Sequence, residues 1–278
     1  MKDFIREKVC FYSSMFPGRS SAWEIARYAA KRGAAGVELM GFCDELRTPD
    51  MKTAREIGDF AKANGLALPC FSAGINFAAG DAREKIERMK GYVDICEALE
   101  IPYFHHTVVL SLEKPADFDA AAKIGIEATA EINEYAARHG VKTIIEDQGF
   151  VFNGVKNYSL LIDGVKGDLG TLLDVGNIMF VDERAEDFLD AYAEKTVHVH
   201  IKDYKLTKTP LAPSSYKTLA ENYLTACEIG TGDINFEKIA DGLRKINYGG
   251  YYSMEFENVS GEDEIDRVLE RMYSWFGE

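Results

Sequence analysis

The 278-residue chain predicts an α/β fold, a single (β/α)8 barrel, on three observations. Short apolar, β-rich runs alternate eight times with longer stretches of helical period, at about 35 residues per unit. Glycines stand where helices must turn back into strands. No linker rich in Pro, Gly or Ser divides the chain, so residues 1–278 read as one domain. A doubly wound open sheet would carry a Gly-rich fingerprint after its first strand, and Phe16-Pro17-Gly18-Arg19 is no such pattern.

The expected strands are Lys8–Ser13, Ala35–Met40, Leu66–Ser72, Ile101–Val108, Val141–Asp147, Leu169–Val175, Thr196–Asp203 and Tyr251–Glu257. Each is followed by an amphipathic stretch: Ser21–Arg32, Pro49–Asn64, Asp81–Leu99, Asp117–His139, Lys156–Val165, Arg184–Glu194, Asn235–Ile246 and Glu262–Phe276. In the fourth, Ala121, Ile124, Ala128, Ile132 and Tyr135 recur at three or four residues and form one helical face. Gly33, Gly65 and Gly140 follow three of these helices, where the chain must take positive φ. The stretch from 204 to 234 is too long for a plain turn and is expected as a loop over the C-terminal face.

Composition narrows the function. Lys and Arg total 32 against 46 Asp and Glu, a net charge of −14 that repels a phosphate backbone and excludes nucleic acid as a partner. No apolar run is long enough to span a bilayer, and the charged N-terminus lacks the apolar core of a signal peptide. Five dispersed cysteines, an odd number without a C-x-x-C, suit a reducing compartment. The expected location is therefore cytoplasmic.

Barrel enzymes place their chemistry at the C-terminal ends of the strands. Four consecutive strands here finish in ionisable groups after apolar runs: Glu146, Asp174, His200 and Glu255. Three carboxylates at one rim repel unless a cation lies among them. Three oxygens and one imidazole suit one divalent ion, Mn²⁺ first, with Mg²⁺, Co²⁺ or Zn²⁺ as alternatives. A ketone and neighbouring hydroxyl held there become acidic at carbon through an enediolate, and two glutamates could remove and return the proton. That is chemistry for isomerising or epimerising a sugar.

The segments IIEDQG, LLDVGN, HVHIKD, EIGTGDINF and YGGYYSMEFE together resemble the sugar phosphate isomerase/epimerase family, the xylose isomerase-like TIM barrels. The resemblance runs strand by strand from about Val9 to Glu257. It implies one metal ion on Glu146, Asp174, His200 and Glu255, with Glu146 and Glu255 as the acid/base pair, as in the family's ketose 3-epimerases. Those epimerases carry a substrate-binding His three residues after the aspartate, where Asn177 stands here, and an Arg six residues past the histidine, where Leu206 stands. The metal set therefore carries over and the substrate does not. Lyases on the same ligands, an inosose-type dehydratase or a C-glycoside deglycosidase subunit, are the alternative.

His105, Asn177, Lys202 and Glu38 are the expected substrate contacts, on a small sugar or sugar derivative. Only one of His105 and His106 can face inward, because neighbours on a strand alternate. His198 shares the parity of His200, and Glu257 that of Glu255, so both are expected to support the ligands from behind. An abasic-site nuclease on this barrel needs a zinc cluster rich in histidine, and five His in total argue against it. A barrel kept as a binding subunit has no need of all four ligands. Homo-oligomerisation, or a partner subunit, stays open.

Overall fold

In the computed structural model, which describes residues 6–12, 21–256 and 259–277, the eight expected strands close into one parallel barrel. The first seven are β1 (Val9–Tyr12), β2 (Gly36–Met40), β3 (Cys70–Ala73), β4 (Tyr103–His106), β5 (Lys142–Glu146), β6 (Gly170–Asp174) and β7 (Thr196–Ile201). Three short strands follow, β8 (Tyr204–Thr207), β9 (Tyr216–Lys217) and β10 (Tyr223–Ala226). The last barrel strand, β11 (Tyr252–Met254), pairs with both β7 and β1 and closes the ring. The helices between are α1 (Ala22–Arg32), α2 (Met51–Ala63), α3 (Ala82–Ala98), α4 (Phe118–Arg138), α5 (Val155–Gly164), α6 (Ala185–Tyr192), α7 (Phe236–Lys245) and α8 (Glu262–Phe276).

Local chemistry sets the boundaries. Side chains of Ser21, Asp50, Asp81, Asp117 and Asn235 accept backbone N–H groups at the starts of α1 to α4 and α7, where helix donors lack internal partners. Gly33, Gly65 and Gly140 take φ of 66°, 69° and 70°, as their positions required. The end of α3 does the same job with Glu100 at φ 56°, which a search for glycine overlooks. Strand β3 begins at Cys70 rather than Leu66, just after Pro69, which has no N–H to give a ladder. The expected strand ends at Ser13 and Glu257 lie outside the described residues.

Alternation in the closed barrel sorts side chains by parity. Cys70, Ile144 and Leu172 fill the interior low in the barrel, with Tyr103 and Val197 against them. Two residues further along the same strands come Ser72, His105, Glu146 and Asp174, all buried. The intervening residues Phe71, Phe104, Ile145 and Leu173 face the helices and are fully buried there. An apolar floor thus carries a polar layer at the mouth.

The segment from 204 to 234, expected as loop, contains an antiparallel sheet in the order β8-β10-β9. Two aspartates fasten it. Asp182 accepts from Thr218 Oγ1, Ala220 N and Asn222 Nδ2 at 2.7–2.8 Å. Asp203 gathers the N–H groups of Gly230, Gly232, Ile234 and its neighbour Tyr204. A Cβ at Gly232 would collide with the Asp203 carboxylate, so the Gly-x-Gly-Asp turn needs glycine for close approach.

His106 faces away from the barrel axis, its ring against Phe77 and Phe104 and its Nδ1 donating to Thr107 O at 2.7 Å. Burial pushes its pKa down to about 4. Unfolding frees it to titrate near 6.5, so the unfolded state binds the extra proton and stability falls as pH drops from 6.5 toward 4. Urea unfolding at pH 7 and pH 4.5 should show His106→Gln losing about 2–3 kcal/mol less than wild type over that interval. Equal losses in the two proteins would contradict a neutral buried imidazole.

Candidate metal centre

Glu146 ends β5, Asp174 ends β6, His200 lies near the end of β7 and Glu255 follows β11 directly. The barrel brings them to one point. His200 Nδ1 lies 3.2 Å from Glu255 Oε2, 3.8 Å from Asp174 Oδ2 and 3.9 Å from Glu146 Oε2. Ligand atoms of Glu146, Asp174 and His200 all fall within 4.8 Å of one another. Asp174 Oδ1 is occupied by the N–H groups of Gly176 and Asn177, which turns Oδ2 toward the same space. Glu255 keeps 19% of its side chain exposed against 4% for Glu146, so it stands at the open side.

The electrostatics are those of a crowded anionic cage. Burial, reinforced by the Asp174 charge, pushes Glu146 up to about 8, with Lys202 and His200 pulling the other way. Burial also raises Asp174, against the pull of Lys202. Burial would raise Glu255 as well, but Lys202 and His200 outweigh it and hold that carboxyl at about 2. For His200, burial is overcome by Glu38 and Glu255, which hold the imidazole well above its usual range. Yet His200 Nδ1 is buried with no hydrogen-bond partner while three carboxylates face it. Three converging oxygens and one imidazole nitrogen with no hydrogen-bond partner match the donor set of a divalent ion.

Lys202 supplies the countercharge. Its Nζ donates to Asn177 Oδ1 at 3.2 Å and forms ion pairs with Asp174 Oδ2 at 2.8 Å and Glu255 Oε2 at 3.1 Å. Asn177 also donates to Glu146 Oε2 at 3.2 Å. Both residues expected to meet substrate are thus engaged with the ligand carboxylates. His105 faces inward, with Nε2 3.5 Å from Glu146 Oε1, while His106 faces the helices.

Glu38 has no exposed surface. Its carboxylate lies under His200, 3.0 and 3.1 Å from Nε2, and 2.8 Å from His198 Nε2. This differs from the substrate contact expected of it, and the reason is depth: Glu38 is the third residue of β2, not its end. His198 is behind His200, as its parity implied, and Glu257 lies outside the described residues. The sequence reading passed over Ser72 and Ser253, which both donate to Glu38. A signal for them existed, since each is a small polar residue in an apolar strand at the parity of a site residue.

A family model described as "Xylose isomerase-like TIM barrel" matches residues 26–275. Inosose dehydratase of Clostridium perfringens is 27% identical over 163 residues, 57% of this chain and 52% of that protein. The chain thus spans about half or less of the length of the curated relatives it matches. The D-psicose 3-epimerase of Clostridium cellulolyticum, solved with D-tagatose, superposes with a TM-score of 0.75 at 15% identity, over 97% of this chain and 98% of the other. A xylose isomerase-like barrel from Mycobacterium smegmatis in complex with magnesium gives 0.74 at 13% identity, over 97% of each chain. With 250 consecutive residues matched and the closed barrel formed, the chain belongs to the xylose isomerase-like TIM barrel family.

Proposed function

We propose that the chain is a divalent-metal-dependent isomerase or epimerase of a sugar or sugar derivative. The observation that carries this reading is the convergence of Glu146, Asp174 and Glu255 on His200 Nδ1 at 3.2–3.9 Å. Two carboxylates at that point can act as an acid/base pair, one taking a proton from carbon and the other returning it. Glu146 and Glu255 take those roles in exchanging a proton at the carbon between a carbonyl and a hydroxyl.

The ion would be held by Glu146, Asp174, His200 through Nδ1, and Glu255, and Mn²⁺ suits that set best. Bound there, it supplies Lewis acidity that makes the carbon beside a carbonyl easier to deprotonate. Lys202 keeps the Asp174 and Glu255 carboxylates ionised, and Asn177 bridges Lys202 and Glu146. The likeness to inosose dehydratase supports a second reading, a lyase, in which the same proton removal is followed by loss of hydroxide.

A panel of ketoses, ketose phosphates and inososes, incubated with Mn²⁺-loaded protein in D₂O and read by NMR, tests the proposal. Carbon-bound deuterium in recovered sugar is expected from the isomerase, and an enone product from the lyase. Glu146→Gln should slow either by about 10²–10⁴-fold, the usual worth of an acid/base group. Full activity in that variant, or no turnover with any compound, would sink the assignment.

Metal uptake should be tied to proton release. Glu146 and His200 both hold protons near neutral pH that an ion must displace. Mn²⁺ affinity should therefore rise with pH across the neutral range and keep rising through about 8, where Glu146 is half deprotonated. Calorimetry in buffers of different ionisation enthalpy should count between one and two protons released per ion at pH 7. A count of zero would mean the ion binds elsewhere.

A further inference from the structure

The hydrogen-bond polarity beneath the metal centre can be read outward from one group. Glu38 lies on β2 with no exposed surface, and donors from three other strands converge on it. Ser72 Oγ on β3 donates to Oε1, and Ser253 Oγ on β11 donates to Oε2 at 2.5 Å. From β7, His198 Nε2 reaches Oε2 at 2.8 Å, and His200 Nε2 lies 3.0 and 3.1 Å from the two oxygens. An ionised carboxylate only accepts, so each imidazole nitrogen that faces it carries a hydrogen. His200 therefore keeps a proton on Nε2 with or without an ion, and Nδ1, the nitrogen turned to the carboxylates of Glu146, Asp174 and Glu255, is the one that gives up its proton when an ion binds.

The same constraint runs the other way through Ser72. Its hydroxyl has one hydrogen, and that hydrogen is spent on Glu38. Its 2.8 Å contact with His105 Nδ1 must then be accepted by the serine oxygen, so His105 is protonated on Nδ1. The opposite nitrogen, His105 Nε2, is left with its lone pair 3.5 Å from Glu146 Oε1 and has no hydrogen-bond partner. His200 Nδ1, on the other side, is likewise buried without one.

We propose that Glu38 is the positioning residue that fixes both imidazoles of the centre, directly for His200 and through Ser72 for His105. Two outcomes follow from one buried charge. His200 offers a lone pair to the ion, and His105 offers a lone pair to the substrate. The substrate group that meets His105 is then a hydrogen-bond donor, a hydroxyl rather than a carbonyl or phosphate oxygen. This last step rests on the sugar reading above, whereas the two tautomers do not.

With five histidines in the chain, ¹⁵N-histidine spectra can be assigned by single substitutions. The spectra should show His105 as the Nδ1–H tautomer in metal-free protein, and His200 protonated on Nε2 both without metal and loaded with Zn²⁺. Glu38→Gln should weaken Mn²⁺ binding about 10–100-fold, as loss of a carboxylate behind a histidine ligand does. Ser72→Ala should release the His105 tautomer while His200 keeps its Nε2 proton and Mn²⁺ affinity stays within about 3-fold. An Nε2–H tautomer of His105 in the wild type overturns the proposal whether or not Glu38→Gln folds. Unchanged Mn²⁺ affinity in folded Glu38→Gln overturns the His200 half. If wild type bound no ion but showed both tautomers, the sugar reading would fail and the role of Glu38 in setting them would stand.

Discussion

Buried negative charge is the constraint around which this barrel is organised. Glu38, Glu146 and Asp174 are each 5% exposed or less, and Glu255 joins them at the rim. Carboxylates cannot remain ionised in such surroundings without compensation, and the cost in isolation would exceed the stability of a typical domain. The interior answers with two imidazoles and an ammonium. His198 and His200 bracket Glu38 from above and below, while Lys202 spans Asp174 and Glu255. Glu146 is left less compensated than Glu255, so burial and the Asp174 charge raise its proton affinity. The charge imbalance is local, and the acidic surface of the molecule has no part in it.

Barrel geometry explains why these groups can meet at all. Alternate residues on parallel strands enter the interior in layers, so a polar residue two positions beyond an apolar floor residue arrives at the mouth. Ile144 leads to Glu146 and Leu172 to Asp174 by this rule. The sequence displays the rule as apolar runs that end in an ionisable group, which is why the fold, the eight units and the convergence of Glu146, Asp174 and His200 were all legible in it. Parity also separated His105 from His106, since neighbours cannot both face inward.

What was not legible depended on depth and on pairing. Glu38 was expected to meet substrate, but it is the third of the five residues of β2, and two residues of depth turn a rim group into a foundation. Lys202 and Asn177 sit where substrate contacts were expected, and three-dimensional closure pairs them with each other and with the ligand carboxylates instead. Ser72 and Ser253 carried only the signal of parity, and a serine in a strand gains a role only once the carboxylate it donates to is known. The 204–234 segment hid its β structure behind two prolines and short strands, of which β9 has two residues.

That segment bears on how substrate choice is divided from chemistry. Glu146, Asp174, His200 and Glu255 sit on or beside strands of a closed sheet, where main-chain ladders hold them. Family variation is expected in the loops above. Here the largest of those elements is tied to the barrel by side chains: Asp182 and Asp203 each collect several donors from it, and Phe180 packs on both Tyr204 and Tyr216. Leu206, which stands where ketose 3-epimerases carry an arginine, is in β8 of that sheet and 40% exposed. The rim element is thus tied down by side-chain hydrogen bonds to Asp182 and Asp203, above a buried cluster whose hydrogen bonds run down to Glu38.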